Sequence, residues 1–323
     1  MSMYNVVFSA LSKFGLTFDG AGQMTFKGAI VASGGVVGPL GKGIAFYLDA
    51  ANGSNNNNGR TPTTAFATLA YAYTKLTANR NDTLFYIAGA TSITLASTLT
   101  WAKNYTHLIG VCAPTGINQR ARLFATNAMV TMLSITATGC IFKNIYINQG
   151  GNDATDLNCV LVSGGRNYFE NVHFAGMGNA TPADETGASS LALVGAEENT
   201  FVNCTIGLDT IDRSTTNAEL DIRSSSVRNV FRNCLFLSRA DNNGHLFVKI
   251  DTVADLDRFV IFDNCMFINC IESGATLMLQ AMSVHDAAAG LVILKQCLLL
   301  GATNWCVADN GNVYADNAFA TLT

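Results

Sequence analysis

One short phrase recurs along this chain: apolar residues, then Asn, then a small or apolar residue, then a further apolar pair. It appears as Ile141-Phe142-Lys143-Asn144-Ile145-Tyr146-Ile147, Tyr168-Phe169-Glu170-Asn171-Val172-His173-Phe174 and Thr200-Phe201-Val202-Asn203-Cys204-Thr205-Ile206. It returns as Val230-Phe231-Arg232-Asn233-Cys234-Leu235-Phe236, Ile261-Phe262-Asp263-Asn264-Cys265-Met266-Phe267 and, with Gln in place of Asn, Leu294-Lys295-Gln296-Cys297-Leu298-Leu299. The Asn column (144, 171, 203, 233, 264, then 296) advances in steps of 27, 32, 30, 31 and 32 residues. Such a period marks a solenoid, in which each unit buries its apolar face only by stacking on its neighbours.

The phase of the pattern predicts the kind of solenoid. If Phe201 points inward on a straight strand, Asn203 also points inward and Cys204 outward, yet Cys204 and Ile206 carry the next apolar face. The alternation therefore slips by one at the Asn. Asn tolerates positive φ better than most non-Gly residues, so a one-residue bend there turns the chain through a corner and restarts the strand. Further strands are expected at Leu191-Ala192-Leu193-Val194, Glu219-Leu220-Asp221-Ile222, Leu246-Phe247-Val248-Lys249-Ile250 and Leu277-Met278-Leu279-Gln280. Three short strands per turn predict an all-β chain, a right-handed, single-stranded parallel β-helix with coils about 4.8 Å apart. Ankyrin and tetratricopeptide units need two helices each, and leucine-rich repeats need a Leu-x-x-Leu-x-Leu spacing that is not kept here.

The composition, 49% hydrophobic and 13% charged over 323 residues, suits a long buried core. No run approaches the length of a membrane span, and Met1-Ser2-Met3-Tyr4-Asn5 shows no basic region ahead of an apolar one, so neither membrane insertion nor export is expected. A net charge of −4 without a Lys/Arg cluster disfavours nucleic acid as a partner.

Four of the nine cysteines, Cys204, Cys234, Cys265 and Cys297, hold the position just after the corner and are expected to form an interior ladder. No CxxC or Cys/His ligand spacing supports a metal, and free buried thiols fit assembly in a reducing cytoplasm. The column Asn144, Asn171, Asn203, Asn233 and Asn264 is read as a structural ladder whose side chains satisfy one another and the corner backbone.

Four regions are expected. Residues 1–43 form an extended Gly-rich arm whose apolar Phe8, Leu11, Phe14, Phe18, Phe26 and Ile30 are suited to packing on a partner. Residues 44–80 hold an opening strand, an Asn/Gly loop and a helix capped by Thr63 or Thr64, with Phe66, Leu69, Tyr73 and Leu76 on one stripe that plugs the first coil. The loop has only Asp49 as a carboxylate, which argues against calcium. Residues 81–311 form the coils and 312–323 a C-terminal cap, with Trp305 nearby to help cover the core.

The segment Leu48-Asp49-Ala50-Ala51-Asn52-Gly53-Ser54, followed by Gly59-Arg60-Thr61-Pro62, Ala65-Phe66-Ala67-Thr68-Leu69, Tyr86-Ile87-Ala88-Gly89 and His107-Leu108-Ile109-Gly110-Val111, resembles the opening of pectate-lyase-like β-helix proteins, many of them phage-encoded. The resemblance covers the chain from about residue 45. It implies the fold far more than the function, because this scaffold hosts lyases, hydrolases, tailspikes and structural proteins.

No catalytic constellation emerges from the sequence. The galacturonan-hydrolase motifs Asn-Thr-Asp, Asp-Asp, Gly-His-Gly and Arg-Ile-Lys are missing as such, and Gly244-His245-Leu246 is only a fragment. Glu219, Asp221 and Arg223 share a strand face and are expected to form a solvated, self-paired row, with Asp251, Asp255 and Asp257 near the next coil. His107, His173, His245 and His285 are scattered.

The resulting expectation is a bacteriophage virion protein without enzymatic activity or cofactor, a capsid decoration or cement protein assembled in the host cytoplasm. It would bind the major capsid protein through its arm and β-helix base and associate as a homotrimer. The alternatives are a tailspike or fibre that binds or cleaves host polysaccharide, and a carbohydrate-active lyase or hydrolase.

Overall fold

A computed structural model describes residues 16–18, 24–26, 31–32, 35–36, 43–270, 277–307 and 311–316. The chain is a right-handed parallel β-solenoid of about 7 turns. Its coils lay strands into three parallel sheets, a long one of ten strands, a middle one of eight and a short one of seven.

The long sheet runs from Ala45–Asp49 to Val313–Ala315, the middle sheet from Ile93–Leu95 to Leu298–Leu300, and the short sheet from Leu99–Trp101 to Met282–Val284. Each coil enters through the short sheet, passes to the long sheet, turns the Asn corner and leaves through the middle sheet. The strand expected at Leu277–Gln280 departs from its expected place. Met278–Gln280 pairs with Ala302–Asn304 in a separate two-stranded sheet, and Met282–Val284 takes the place in the short sheet. The reason is burial, since Met282 and Val284 sit over Val248 and Ile250 in the core while Leu277 and Leu279 stay about half exposed.

Register turns the sequence repeats into columns. Along the long sheet Phe142, Phe169, Phe201, Phe231 and Phe262 are directly paired from coil to coil. Their rings stack at centroid separations of 5.1, 4.6, 4.4 and 5.1 Å. Phe236 and Phe267 continue the arrangement in the middle sheet at 4.5 Å, and Leu191, Leu220, Val248 and Met282 form the facing column of the short sheet. Burying a large side chain of this kind contributes roughly 1.5–3 kcal/mol, so these columns dominate the stability of the rod.

At the N-terminal end the helix Leu69–Lys75 covers the core with Leu69 and Ala72, and its cap is Thr68, whose hydroxyl accepts from Tyr71 N. Thr61 instead begins a separate 3-10 turn, Pro62–Thr64, so Phe66 lies ahead of the helix in an extended bridge to Leu48. The Lys103 ammonium donates to the carbonyls of Tyr73, Thr74 and Leu76 at 2.8, 3.0 and 2.7 Å, closing the helix end where unpaired carbonyls and the dipole favour a cation.

The Asn/Gly loop uses its polar side chains on its own backbone. Asp49 Oδ1 accepts from Ala51 N and Asn52 N, and Asn55 Oδ1 accepts from Ala67 N and Thr68 N. At the other end Trp305 meets Phe267 edge-on at 5.3 Å, and Val313–Ala315 extends the long sheet beyond Leu291–Lys295. Phe8, Leu11, Phe14 and Ile30 lie outside the described residues. Phe18 and Phe26 end short strands that pair antiparallel, Leu16–Phe18 with Met24–Phe26.

Candidate functional site

The Asn corner separates the long sheet from the middle sheet. Asn144, Asn171, Asn203, Asn233 and Asn264 have φ between 52 and 55°, and Gln296 adopts 53°. Each Asn corner N–H donates to a carbonyl of the next coil, for example Asn171 N to Val202 O and Asn203 N to Arg232 O, whereas Gln296 N donates to the Asp316 carboxylate. Asn171 Nδ2 donates to Asn144 Oδ1 at 3.0 Å, and Asn264 Nδ2 to Asn233 Oδ1 at 2.9 Å.

Just past the corner, Cys204, Cys234 and Cys265 are buried and Cys297 is half-buried, each thiol donating to a carbonyl one coil back: Phe169, Phe201, Phe231 and Phe262. The ladder loses cover at Cys297 because only the last coil lies beyond it. None of the nine cysteines is in a disulfide. Burial raises the Cys234 thiol, while for Cys265 the hydrogen bond with Cys234 is the leading upward influence, so these thiols are chemically quiet.

A second Asn ladder, which the sequence reading missed, stands four residues earlier. Asn167, Asn199 and Asn229 are almost completely buried, and each side-chain carbonyl accepts a backbone N–H from the coil below: Cys140, Asn167 and Asn199. Their amide nitrogens donate to Ala137 O, Gly164 O and Ala196 O. The fixed offset from Asn171, Asn203 and Asn233 was the available signal.

Outside the corner runs a groove of about 880 Å³. Its floor is the row Asn144, Asn171, Asn203 and Asn233, one flank is Lys143 with Glu170, and the other is the loop bearing Pro114, Gly116 and Ile117. Lys143 Nζ lies 2.7 Å from Glu170 Oε1, so the groove's two charges neutralise each other.

Glu219 and Asp221 share the outer face of the short sheet as expected, but that face is covered rather than solvated. Glu219 is fully buried, and Arg213, itself 3% exposed, reaches it from the loop that follows the middle sheet. Arg213 Nε and Nη2 donate to Glu219 Oε1 and Oε2 at 3.1 and 2.9 Å, and Ser190 Oγ also donates to Oε2. Arg213 further donates to Ala183 O in the short helix Ala180–Ala183. Burial pushes the Glu219 carboxyl up, but the charge and hydrogen bonds of Arg213 outweigh it and hold it at about 2.

His245 completes this network in one tautomer. Asn217 Nδ2 donates to the carbonyls of Ala183 and Glu185, so Asn217 Oδ1 faces His245 Nδ1 at 2.7 Å and accepts its proton. His245 Nε2 is then an acceptor for Ser238 Oγ–H at 3.0 Å. The ring is neutral, consistent with burial lowering its proton affinity. His173 has the opposite tautomer: Asn118 N donates to Nδ1 and Nε2–H donates to Gly207 O, with burial driving the ring down to about 4.

Asp221 is 7% exposed, and burial raises its carboxyl. Its Oδ2 lies 3.2 Å from Arg223 Nε, its Oδ1 has no hydrogen-bond partner among the described residues, and Lys249 is its register neighbour on the next coil. Asp255 and Asp257 hold backbone and hydroxyl groups of Ser224, Thr252 and Ser225. Asp251 pairs with Lys249 at 3.1 Å. Among the described residues no group of three or more His, Cys, Asp or Glu side chains is placed to hold a metal ion.

No family model and no curated protein sequence matches this chain. Its fold is similar to that of pectate lyase Pel9A, with a TM-score of 0.57 at 13% identity over 80% of this chain and 63% of that one. The chain thus spans under two thirds of that lyase. A rhamnogalacturonan lyase gives 0.52 at 14% identity over 80% and 68%, and the pectin methylesterase PemA from Erwinia chrysanthemi gives 0.50 at 15% over 86% and 95%. At these identities the likeness establishes a pectate-lyase-like parallel β-helix fold. It carries no residue roles across.

Proposed function

We propose that this chain is a structural protein of a virus particle, a capsid decoration or cement protein whose solenoid stands on the shell and whose residues 1–43 bind the major capsid protein. The supporting observation is how the charged groups are used. In the groove Lys143 and Glu170 neutralise each other, and the carboxylate of Glu219 is enclosed by Arg213, Ser190 and His245 beyond reach of any substrate. Side chains committed to holding coils together fit a load-bearing rod better than a catalyst, which needs a reactive group at the surface. Free thiols stacked in the core fit assembly in a reducing cytoplasm. A homotrimer about a shell threefold is part of the same proposal.

The test is the copy number of the chain relative to the shell protein in purified particles. A fixed, sizeable fraction supports decoration, a handful per particle supports a tailspike, and absence overturns the virion role. Deleting residues 1–43 separately tests the arm: shells bound as tightly by the truncated chain would remove it as the anchor.

A carbohydrate-active role is the second reading, and Asp221 is the observation that favours it. A carboxyl raised by burial, beside Arg223 and Lys249 at the outer face of a parallel sheet, has the properties of a general acid. The named activities of the structural neighbours supply the substrates to try. Product release from pectin, polygalacturonate or rhamnogalacturonan that is lost in Asp221→Asn would establish this reading over the first.

A further inference from the structure

The Asn corner ladder is interrupted in the middle of the groove. Asn144 is bonded to Asn171, and Asn233 to Asn264, through their side chains. The exposed Asn203 amide between these pairs has no side-chain hydrogen bond among the described residues. Asn233 engages its oxygen alone and Asn144 and Asn171 engage both amide atoms, so Asn203 is the floor amide with both its donor and its acceptor available.

The wall beside it is built and fixed. Thr205 Oγ1 donates to Gly116 O at 2.8 Å, Asn118 N donates to His173 Nδ1 at 3.2 Å, and Gln119 Nε2 donates to Asn171 Oδ1 at 3.2 Å. These three bonds pin the loop across the corner and leave Ile117 39% exposed on the rim.

We propose that this groove binds a neutral glycan strand lying along the solenoid axis, with Asn203 as its central polar contact and Ile117 packing against the apolar face of a sugar ring. A hydroxyl both donates and accepts, which matches an open amide on each count. Parallel coils rise about 4.8 Å each, close to the advance of one sugar unit in an extended chain, so successive units meet equivalent corner positions. An extended peptide advances about 3.3 Å per residue and falls out of step with the coils. A uronate chain would need a free cation, and Lys143 is held by Glu170. An apolar ligand would strip water from the floor amides without replacing their bonds.

This site lies on the corner between the long and middle sheets, away from Asp221 on the short sheet. It requires no bond cleavage and does not depend on the virion role. The full chain is run in affinity gels containing neutral glucans, mannans, xylans or galactans, with polygalacturonate and a soluble extended peptide as the contrasting ligands. The variants are Asn203→Gly, which keeps the positive φ and deletes the amide, Ile117→Asp, and Gln296→Gly as the same corner change outside the groove. The expected result is retardation by at least one neutral polysaccharide, weakened about tenfold or more by Asn203→Gly and by Ile117→Asp, unchanged by Gln296→Gly, with melting temperatures close to that of the parent chain. Retardation by none of the neutral polysaccharides, by polygalacturonate or the peptide alone, or equally in the Asn203 and Gln296 variants would overturn the proposal.

Discussion

The side-chain carbonyl of Asn199 accepts the backbone N–H of Asn167, one coil below, at 2.9 Å, while its amide donates to Gly164 O at 3.1 Å. One buried side chain therefore satisfies the backbone of two places in the preceding coil where the chain leaves the sheets. Asn203, four residues on, supplies a bend at the surface but makes no comparable bonds.

This difference sets the cost of truncation. Asn199→Ala should destabilise the protein by about 2–4 kcal/mol, because it leaves a buried N–H and a buried carbonyl without partners. Asn203→Ala should cost about 1–2 kcal/mol through left-handed strain alone, and Asn203→Gly should recover most of that. Denaturant unfolding of the three variants checks the order; equal losses for Asn199→Ala and Asn203→Ala would contradict it.

Glu219→Gln keeps the shape of the side chain but leaves the Arg213 guanidinium buried without its counter-charge. A loss of about 3–5 kcal/mol is expected, together with increased protease sensitivity in the loop that carries Arg213. Replacing both Arg213 and Glu219 with apolar residues of similar volume should be better tolerated than either single change. A double-mutant cycle in urea measures the coupling directly.

Acid should destabilise the fold in two stages. His173 is neutral in the fold and driven to about 4 from an ordinary value of 6.5, so the unfolded chain takes up the proton first. Stability is therefore full above pH 6.5, declines as pH falls, and the His173 share, roughly 3 kcal/mol, is lost by about pH 4. His245 adds to this loss in the same direction. Glu219, held at about 2 against an ordinary 4.5, contributes stability that is intact above pH 4.5 and disappears towards pH 2. Thermal melts from pH 8 to 3 should show the first decline flattened in His173→Gln; an unchanged profile would remove His173 as its source.

Phe201 sits at the centre of the ring column, with its neighbours at 4.6 and 4.4 Å. Phe201→Ala should cost about 3–5 kcal/mol, and Phe201→Leu clearly less, because leucine fills more of the space between the rings above and below. Calorimetry on the two variants checks this.

Thiol labelling should separate the cysteines by position. Cys270 is exposed and should react in the native protein, whereas Cys204, Cys234 and Cys265 should react only on unfolding. Mass spectrometry of alkylated peptides gives the order.

The solenoid was legible because its corners leave a phase error in the sequence. The slip at Asn203, with Phe201 and Cys204 both belonging inside, cannot be accommodated on one straight strand. The cover over Glu219 was not legible, because period 2 gives the face of a residue and says nothing about which loop folds back over it. Arg213 lies in a stretch without periodicity, and only the folded chain brings it to Glu219 and Ser190. The strand at Met282–Val284 was hidden for a related reason: Leu277–Gln280 has the stronger apolar pattern, but Met282 is the residue that reaches Val248. The groove depends on a loop held by Thr205 and His173, contacts between residues up to 89 positions apart.

The ring column from Phe142 to Phe262 has a consequence for how such a chain changes in length over evolutionary time. Above and below Phe201 the surroundings are nearly the same: another Phe in register, another Asn at the corner, another carbonyl ready for the next N–H. A duplicated coil placed there meets the partners its parent met, and a deleted one lets its two neighbours join across the gap. Rods of this type can grow or shorten by whole units of about thirty residues, whereas a gain of five residues within a strand would break every column at once.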